Sequence, residues 1–103
     1  MPAELVWRPQ AVEDLIDIYV IIGLDSEAAA DRVYAALETR ASMLLDFPRL
    51  GPRRPEIAPS ARILVEGSYL VLYELHPDTD DGPVERIEVV RVIDGRRELT
   101  HLF

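Results

Sequence analysis

Residues 61–76 have the sequence ARILVEGSYLVLYELH, in which two β-rich runs flank Gly67-Ser68. A Gly-Ser pair between two such runs is typical of a tight two-residue hairpin. The polar loop PDTDDGP comes next, and a third β-rich run, VERIEVVRVI, occupies residues 84–93. The sequence therefore predicts a three-strand antiparallel meander in the second half of the chain.

The first half of the chain changes its pattern at Pro9. Residues Glu4–Arg8 form a short β-rich run, which predicts a strand that the proline ends. From residue 10 the apolar residues recur at three- and four-residue spacing, which predicts an amphipathic helix over residues 10–22, ending at Gly23. The apolar face assigned to this helix comprises Leu15, Ile16, Tyr19, Val20 and Ile22.

A second helix is predicted to begin after Ser26 and to end near Asp46. Serine is a favoured N-cap residue, and Glu27 in the first turn would complement the helix dipole. Because the break between the two helices is short, they should form an antiparallel hairpin. The predicted buried stripe of the second helix comprises Val33, Leu37 and Leu44.

The order of these elements predicts the fold class. Four prolines and a glycine between residues 48 and 59 indicate an irregular connection from helix to sheet. We therefore expect an α+β fold in which a short N-terminal strand precedes an antiparallel two-helix hairpin. The hairpin should pack on one face of a small, mainly antiparallel sheet that ends in a three-strand meander. A length of 103 residues suits a single domain, predicted to span residues 1–103.

Composition excludes several classes of function. The chain has no cysteine, which excludes disulfides and thiolate ligands, and its two histidines, His76 and His101, are too far apart in sequence to suggest a metal site. Neither a cofactor nor a metal is therefore expected. No apolar run is long enough to span a membrane, and no signal peptide is evident, so we expect a soluble, cytoplasmic protein.

The formal net charge is −8, and positive charge is concentrated in residues 49–62 and 91–103. An acidic chain of this kind is poorly suited to sequence-independent binding of nucleic acid, which needs a broad basic surface. Direct sequence-specific binding is not expected either. The arginines Arg49, Arg53 and Arg54 lie between prolines, where a solvated connection is the favoured interpretation and a binding role the alternative.

Three segments of the chain together resemble the RelE/ParE superfamily of toxins from bacterial toxin-antitoxin pairs. These segments are FPRLGPRRPEI, ARILVEGSYLVLYEL and IEVVRVIDGRREL. The resemblance implies a compact toxin that is held inactive by an antitoxin encoded beside it. It also implies one of two modes of action, because RelE-like members cut messenger RNA on the ribosome and ParE-like members inhibit DNA gyrase.

The nuclease residues of RelE-like members are largely absent from this sequence. Those members carry basic residues at alternating positions of the strand before the hairpin, where this chain has Ala61 and Ile63. Arg62 is out of phase and should face the other side of the sheet. Leu70 occupies the position of the arginine that follows the hairpin.

The C-terminal segment also departs from the nuclease pattern. Arg97 matches the expected arginine, but Phe103 stands where a tyrosine is expected, and a phenyl ring can neither donate nor accept a proton. Proton transfer by His101 is the hypothesis that would rescue nuclease activity. A ribosome-dependent messenger-RNA endonuclease therefore remains the alternative function.

The segment DGRREL favours a ParE-like toxin without catalytic residues of its own. Arg96 and Arg97, with Phe103, are the predicted target-binding residues, because guanidinium groups can pair with a carboxylate on a partner or with DNA phosphate. The alternative interpretation is that these arginines pair with neighbouring acids and only solubilise the terminus. A third possibility is a non-toxic relic that binds its antitoxin and nothing else.

The expected partners are DNA gyrase and a ParD-like antitoxin, with which the chain would form a hetero-oligomer. Tyr19, Ile22 and Tyr34, which should lie toward the helix-helix junction, are the candidate antitoxin-binding residues.

Two further expectations concern the sheet. Strand alternation places Arg91 on the face of Ile87, Val89 and Ile93, where pairing with an acid is slightly favoured over a position at the margin of the helix layer. Tyr69 and Tyr73 also share a face, which we expect to be the side that the helices leave uncovered.

Overall fold

The computed structural model describes residues 3–95 of the chain. Its helices are α1 (Pro9–Gly23) and α2 (Glu27–Ser42), and α2 continues into a short 3-10 helix at Met43–Leu45. Its strands are β1 (Glu4–Trp7), β2 (Arg62–Glu66), β3 (Tyr69–His76) and β4 (Arg86–Asp94).

The four strands form one sheet in the order β1-β4-β3-β2. The pairs β2-β3 and β3-β4 are antiparallel, whereas β1 lies parallel to β4. Gly67 adopts a φ of 60° in the β2-β3 turn, a left-handed conformation that glycine tolerates best. The predicted α+β fold, with its N-terminal strand, helix hairpin and meander, is confirmed.

The helix boundaries follow from local chemistry. Pro9 occupies the first turn of α1, where its missing N–H costs no hydrogen bond. Ser26 caps α2 as predicted, because its hydroxyl accepts a hydrogen bond from the N–H of Ala29 at 3.1 Å. Glu27 lies in the first turn of α2, as the sequence also predicted.

Both helices pack on the same face of the sheet. Leu37 and Leu44 are fully buried in this layer, as predicted, while Val33 is partly buried beside them. The buried residues of this main core are Ala11, Leu15, Leu37, Leu44, Leu64, Val71, Tyr73, Leu75, Ile87, Val89 and Val92.

The inward face of α1 differs from the predicted one. Ala11, Asp14 and Leu15 are buried, at the spacing of one helix face. Ile16 and Val20, which were assigned to the core, are both exposed. The prediction was wrong because α1 is apolar on most of its circumference, so that the apolar spacing alone does not identify the buried side.

Strand β4 contains an irregularity that changes which of its residues face the helices. Arg91 lies opposite Leu72 and Val89 lies opposite Tyr73, so Val90 is an extra residue on β4. After this bulge, Val92 joins the main core, whereas Ile93 packs with Leu72 on the other face of the sheet. The predicted face shared by Val89 and Ile93 is therefore wrong, because the bulge shifts the alternation by one residue.

Tyr73 lies on the helix-covered face, contrary to the expectation from sequence. Its ring is fully buried in the main core, and its hydroxyl accepts a hydrogen bond from the N–H of Gly51 at 2.9 Å. The same hydroxyl donates to the carbonyl oxygen of Pro48 at 2.9 Å. Burial raises the pKa of Tyr73, against the hydrogen bond at Gly51 and the charge of Arg62. The buried phenol thereby fixes the proline-rich connection to the sheet.

Within residues 3–95, neither helix is long and apolar enough to cross a membrane.

Candidate functional site

Helix α1 presents a row of exposed apolar side chains to solvent. Val12, Ile16, Val20 and Leu24 are spaced four residues apart and are 41%, 53%, 53% and 84% exposed. We call these four residues the α1 stripe. Side chains at this spacing lie on one side of a helix, so the stripe is a continuous apolar surface. An exposed apolar surface of this kind is a candidate for contact with a partner.

A groove of about 420 Å³ lies beside α1, between the helix and the second half of β4. Apolar side chains of α1, among them Ile18, Ile21 and Ile22, form one side. Tyr69 and Val92 contribute from the sheet. The groove also has charged lining residues, namely Asp14, Asp17, Arg91 and Asp94. It adjoins the α1 stripe through Val20, which lines it as well.

An ion pair between Asp14 and Arg91 forms the base of this groove. The guanidinium of Arg91 donates to both carboxylate oxygens of Asp14, at 2.8 and 3.0 Å. The backbone N–H of Val92 donates to the same carboxylate at 2.9 Å, and Gln10 donates to it at 3.3 Å. The hydrogen bond to Asp14 raises the pKa of Arg91, although burial opposes the rise. The predicted pairing of Arg91 with an acid is confirmed.

The topology of the sheet explains why this carboxylate is needed. Strand β1 pairs with β4 only as far as Val89, whose carbonyl accepts a hydrogen bond from the N–H of Arg8 at 3.0 Å. The chain then turns into α1, so the N–H of Val92 has no strand partner on this side. Asp14 supplies the missing acceptor, because an unpaired N–H in the interior is costly. The sequence predicted an acidic partner for Arg91 but did not identify it as Asp14.

The three candidate antitoxin-binding residues lie at two different places. Tyr19 and Tyr34 pack edge to face, with ring centroids 6.0 Å apart, and so join the two helices. The hydroxyl of Tyr19 donates to Asp31 at 2.6 Å, and this hydrogen bond raises the pKa of Tyr19. Ile22 instead lines the groove beside β4. The structure therefore separates a tyrosine pair on the helix hairpin from an isoleucine in the groove.

The predicted target-binding residues Arg96, Arg97 and Phe103 lie outside the described residues. The structure does locate the position from which this segment departs. The N–H of Gly95 donates to the carbonyl of Ser68 at 2.7 Å, which joins the end of β4 to the β2-β3 turn.

The positions that carry basic residues in RelE-like nucleases are apolar and buried here. Ala61 and Ile63 are almost completely buried. Arg62, the basic residue of β2, is 5% exposed and lies opposite the helix-facing Tyr73. Its guanidinium donates to the carbonyl of Gly51 at 3.0 Å. Arg62 therefore faces away from Ile63, as the sequence predicted, and stabilises the connection between helix and sheet.

Two of the three loop arginines, Arg49 and Arg53, bind a neighbouring loop, whereas Arg54 pairs with Glu56 in its own connection. Arg49 donates to the carbonyls of Thr79 and Gly82 at 3.0 and 3.1 Å. Arg53 pairs with Asp78 and Asp80, both at 2.9 Å, and its hydrogen bond holds the pKa of the Asp80 carboxyl below its ordinary value. These contacts favour a structural role, since they attach residues 77–83 to the proline-rich connection.

A charged cluster occupies the sheet near the start of α1. Glu74 and Glu88 lie directly opposite each other on β3 and β4. One nitrogen of the Arg8 guanidinium is 2.5 Å from an oxygen of each carboxylate. The Nε2 atom of His76 lies 3.4 Å from Glu74 and 3.7 Å from Glu88, and the hydroxyl of Ser60 donates to Glu74 at 2.8 Å.

The cluster favours the ionised form of Glu88. Burial opposes ionisation of Glu88, but the hydrogen bonds from Arg8 and the charge of Arg8 outweigh it. The pKa of Glu88 consequently lies below its ordinary value. The spacing of the two histidines did not predict this cluster, which combines one histidine with glutamates from two strands.

Comparisons with known proteins agree with this architecture. The chain resembles a chain of the chromosomal ParDE toxin-antitoxin system from P. aeruginosa, with 20% identity, a TM-score of 0.71 and coverage of 89% of this chain and 95% of the other. It also resembles a chain of the toxin-antitoxin complex RelBE2 from Mycobacterium tuberculosis, with 24% identity, a TM-score of 0.63 and coverage of 91% and 99%. No curated protein sequence matches the chain.

The match to a protein family is more specific than these structural similarities. Residues 5–99 match the family described as the ParE toxin of the type II toxin-antitoxin system, parDE. This range includes both helices and all four strands except the first residue of β1. The chain therefore belongs to the ParE toxin family of type II toxin-antitoxin systems.

Proposed function

We propose that this chain arrests growth by inhibiting DNA gyrase and that a ParD-like antitoxin neutralises it. Gyrase acts on chromosomal DNA, so the proposal implies a cytoplasmic site of action. Membership of the ParE family supports the proposal, because the resemblance stated above associates ParE-like toxins with gyrase.

The surroundings of β2 favour gyrase over messenger RNA as the target. A nuclease that cuts RNA through its 2′-hydroxyl needs cations beside the reacting phosphate. Ile63 and Leu72 instead form a small apolar cluster on the sheet face away from the helices. Arg62 is buried on the opposite face. On the neighbouring strands β3 and β4, the paired carboxylates of Glu74 and Glu88 would repel a phosphate rather than hold it.

A toxin that acts by binding requires a recognition surface rather than catalytic groups. Arg96, Arg97 and Phe103 are the candidates for contact with gyrase or its bound DNA. They follow the end of β4, which Gly95 joins to the β2-β3 turn. Planar guanidinium groups suit bidentate contacts with carboxylates and phosphates.

Antitoxin binding is proposed for the α1 stripe and the adjoining groove. The stripe exposes four large apolar side chains, and the groove continues this surface toward β4. An antitoxin segment that folds on binding could lay an amphipathic helix along this surface, with Ile22 as one contact and the Tyr19-Tyr34 pair as another. The toxin and antitoxin would thereby form a hetero-oligomer.

Metabolic labelling after induced expression tests the target. In a related, gyrase-competent host, we expect incorporation of thymidine to fall before incorporation of amino acids, together with an SOS response. Purified protein should also inhibit gyrase-dependent supercoiling of plasmid DNA. Immediate arrest of translation with cleaved messages would contradict gyrase as the target and support the endonuclease. Full expression without growth arrest would indicate a non-toxic relic.

A further inference from the structure

The cross-strand pair Glu74 and Glu88 places two carboxylates side by side on the sheet. Glutamates directly opposite each other repel, and this repulsion destabilises the sheet unless a cation lies between them. Both side chains are largely buried, at 11% and 16% exposure, so that water screens the repulsion only weakly. The pair therefore depends on a positive charge held nearby.

Arg8 supplies only one positive charge to these two carboxylates. Its guanidinium contacts the Oε1 atoms of both, yet its own side chain is 39% exposed to solvent. With His76 neutral, the cluster of Arg8, His76, Glu74 and Glu88 carries a formal charge of −1. Arg8 therefore neutralises only one of the two carboxylate charges.

His76 has a side chain that is 38% exposed, and its Nε2 atom faces both carboxylates. Its Nε2 atom is buried and has no hydrogen-bond partner among the described residues. It lies 3.4 Å from Oε1 of Glu74 and 3.7 Å from Oε1 of Glu88. A buried nitrogen without a hydrogen-bond partner, beside two carboxylate oxygens, provides donor atoms of the kinds that zinc binds.

We propose that Glu74, His76 and Glu88 bind a divalent zinc ion. Their three ligand atoms lie within 4.8 Å of one another. Zinc bonds of about 2.0–2.1 Å in tetrahedral geometry separate neighbouring ligand atoms by roughly 3.3 Å, close to the distances from Nε2 to the two carboxylates. A ligand set of one imidazole and two carboxylates suits zinc better than calcium or magnesium, which prefer oxygen ligands alone.

Two neighbouring side chains fit this assignment. Ser60 donates to Oε2 of Glu74, the oxygen that is not in the ligand set, and so holds this carboxylate in orientation. Arg8 shares the two Oε1 atoms that zinc would use and must move away when zinc binds. Because the Arg8 side chain is partly exposed, it can move into solvent when zinc binds. Arg8 is thus an internal competitor, and zinc affinity should increase when its charge is removed.

The test is calorimetric titration of the full chain with zinc chloride, with circular dichroism as the check on folding. We expect one zinc ion per chain, and a fall in affinity of more than about tenfold for His76→Ala and for the more conservative His76→Gln. Arg8→Gln should bind zinc more tightly than the parent. His101→Ala, which removes the only other histidine of the sequence, is the matched control and should bind zinc like the parent.

The outcomes distinguish this proposal from ordinary surface binding. Equal zinc affinity of the parent and both His76 variants would overturn it, as would loss of binding in His101→Ala alone. Failure of both the parent and folded Arg8→Gln to bind zinc would also overturn it. The readout is independent of gyrase inhibition, so the zinc site and the proposed function stand or fall separately.

Discussion

The carboxylate of Asp14 binds the guanidinium of Arg91 through both of its oxygens and also accepts the backbone N–H of Val92. A single side chain of α1 thus neutralises a charge and completes the hydrogen bonding of β4 beyond the end of β1. The contact connects the helix layer to the sheet at the base of the groove proposed for the antitoxin.

We expect Asp14→Ala to destabilise the fold by about 3 kcal/mol, because it leaves a partly buried Arg91 charge and the Val92 N–H without their acceptor. Asp17→Ala is the matched control, since Asp17 is an exposed acid on the same helix. It should change the free energy of unfolding by less than about 0.5 kcal/mol. Urea denaturation measures both variants, and equal stability of the two would contradict the role assigned to Asp14.

Gly51→Ala should be among the most damaging small substitutions in the chain. A Cβ atom at this position would lie 2.4 Å from the carbonyl oxygen of Ile63 and 2.8 Å from the ring of Tyr73. The backbone of Ile63 can move away only by disturbing the sheet. We therefore expect the free energy of unfolding to fall by more than about 2 kcal/mol, as measured by thermal or urea unfolding. Gly23→Ala is the control, since its Cβ would meet only Ala30 at 3.8 Å. A mild effect of Gly51→Ala, similar to that of Gly23→Ala, would show that the connection can move.

The pKa of Glu88 predicts a loss of stability in acid. Its value in the fold lies below the ordinary 4.5, so ionised Glu88 stabilises the protein above that pH, and the contribution disappears as the pH falls through the lowered pKa. Glu88→Gln should be less stable at neutral pH and should lose less stability between about pH 6 and pH 3. Urea unfolding across this range is the measurement.

Asp80→Asn is the comparison for this acid-range experiment. The pKa of Asp80 is also lowered, chiefly by its hydrogen bond with Arg53, but its side chain is 85% exposed. Solvent screening should make its effect on the pH dependence smaller than that of Glu88→Gln. An equal or larger effect of Asp80→Asn would mean that burial of the Glu74-Glu88 pair contributes little.

Ile16→Glu should weaken antitoxin binding by about a hundredfold or more if the α1 stripe is the antitoxin surface, because the charge would be desolvated in the complex. Val65→Glu is a closely matched control. Val65 has the same 53% exposure as Ile16 but lies on β2, away from α1. Titration calorimetry with a purified ParD-like antitoxin measures both, and comparable losses would place the antitoxin elsewhere. The parent complex should show a shallow dependence on salt and a negative heat-capacity change.

The double substitution Arg96→Ala with Arg97→Ala should abolish or strongly reduce toxicity while leaving a folded protein that still binds antitoxin. We expect the double substitution to change the free energy of unfolding by less than about 0.5 kcal/mol. Growth after induction at matched expression is the readout. Arg32→Ala, on the exposed side of α2, removes a guanidinium elsewhere and should remain toxic. Undiminished toxicity of the double variant would assign these arginines to solubility alone.

Much of the fold was predictable because its signals are local. The Gly67-Ser68 turn, the Ser26 cap and the change of period at Pro9 each depend on neighbouring residues. These signals show where each helix and strand begins and ends. The order of the helices and strands along the chain follows from these boundaries. The resemblance of three segments to toxins supplied the family, which the family match confirmed.

The features that were missed depend on contacts between distant parts of the chain. Apolar spacing in α1 could not show that Asp14 faces inward, because its partner Arg91 comes from the last strand. Nor could alternation in β4 show the extra residue Val90, which is defined only by pairing with β3. The cluster of Glu74, His76 and Glu88 likewise exists only once β3 and β4 are aligned.

The parallel pairing of β1 with β4 also bears on the timing of synthesis. The first strand has its sheet partner only in the last strand described, so β1 must wait until translation has produced residues 86–89. The helix hairpin is synthesised much earlier. Until β4 has been made, Asp14 has no Arg91 to pair with, and the inward residues of α1 have no sheet to pack against. Contacts of such long sequence separation form slowly. During translation the helices therefore expose apolar residues before the sheet covers them, and the groove proposed for the antitoxin is completed only once β4 has been made.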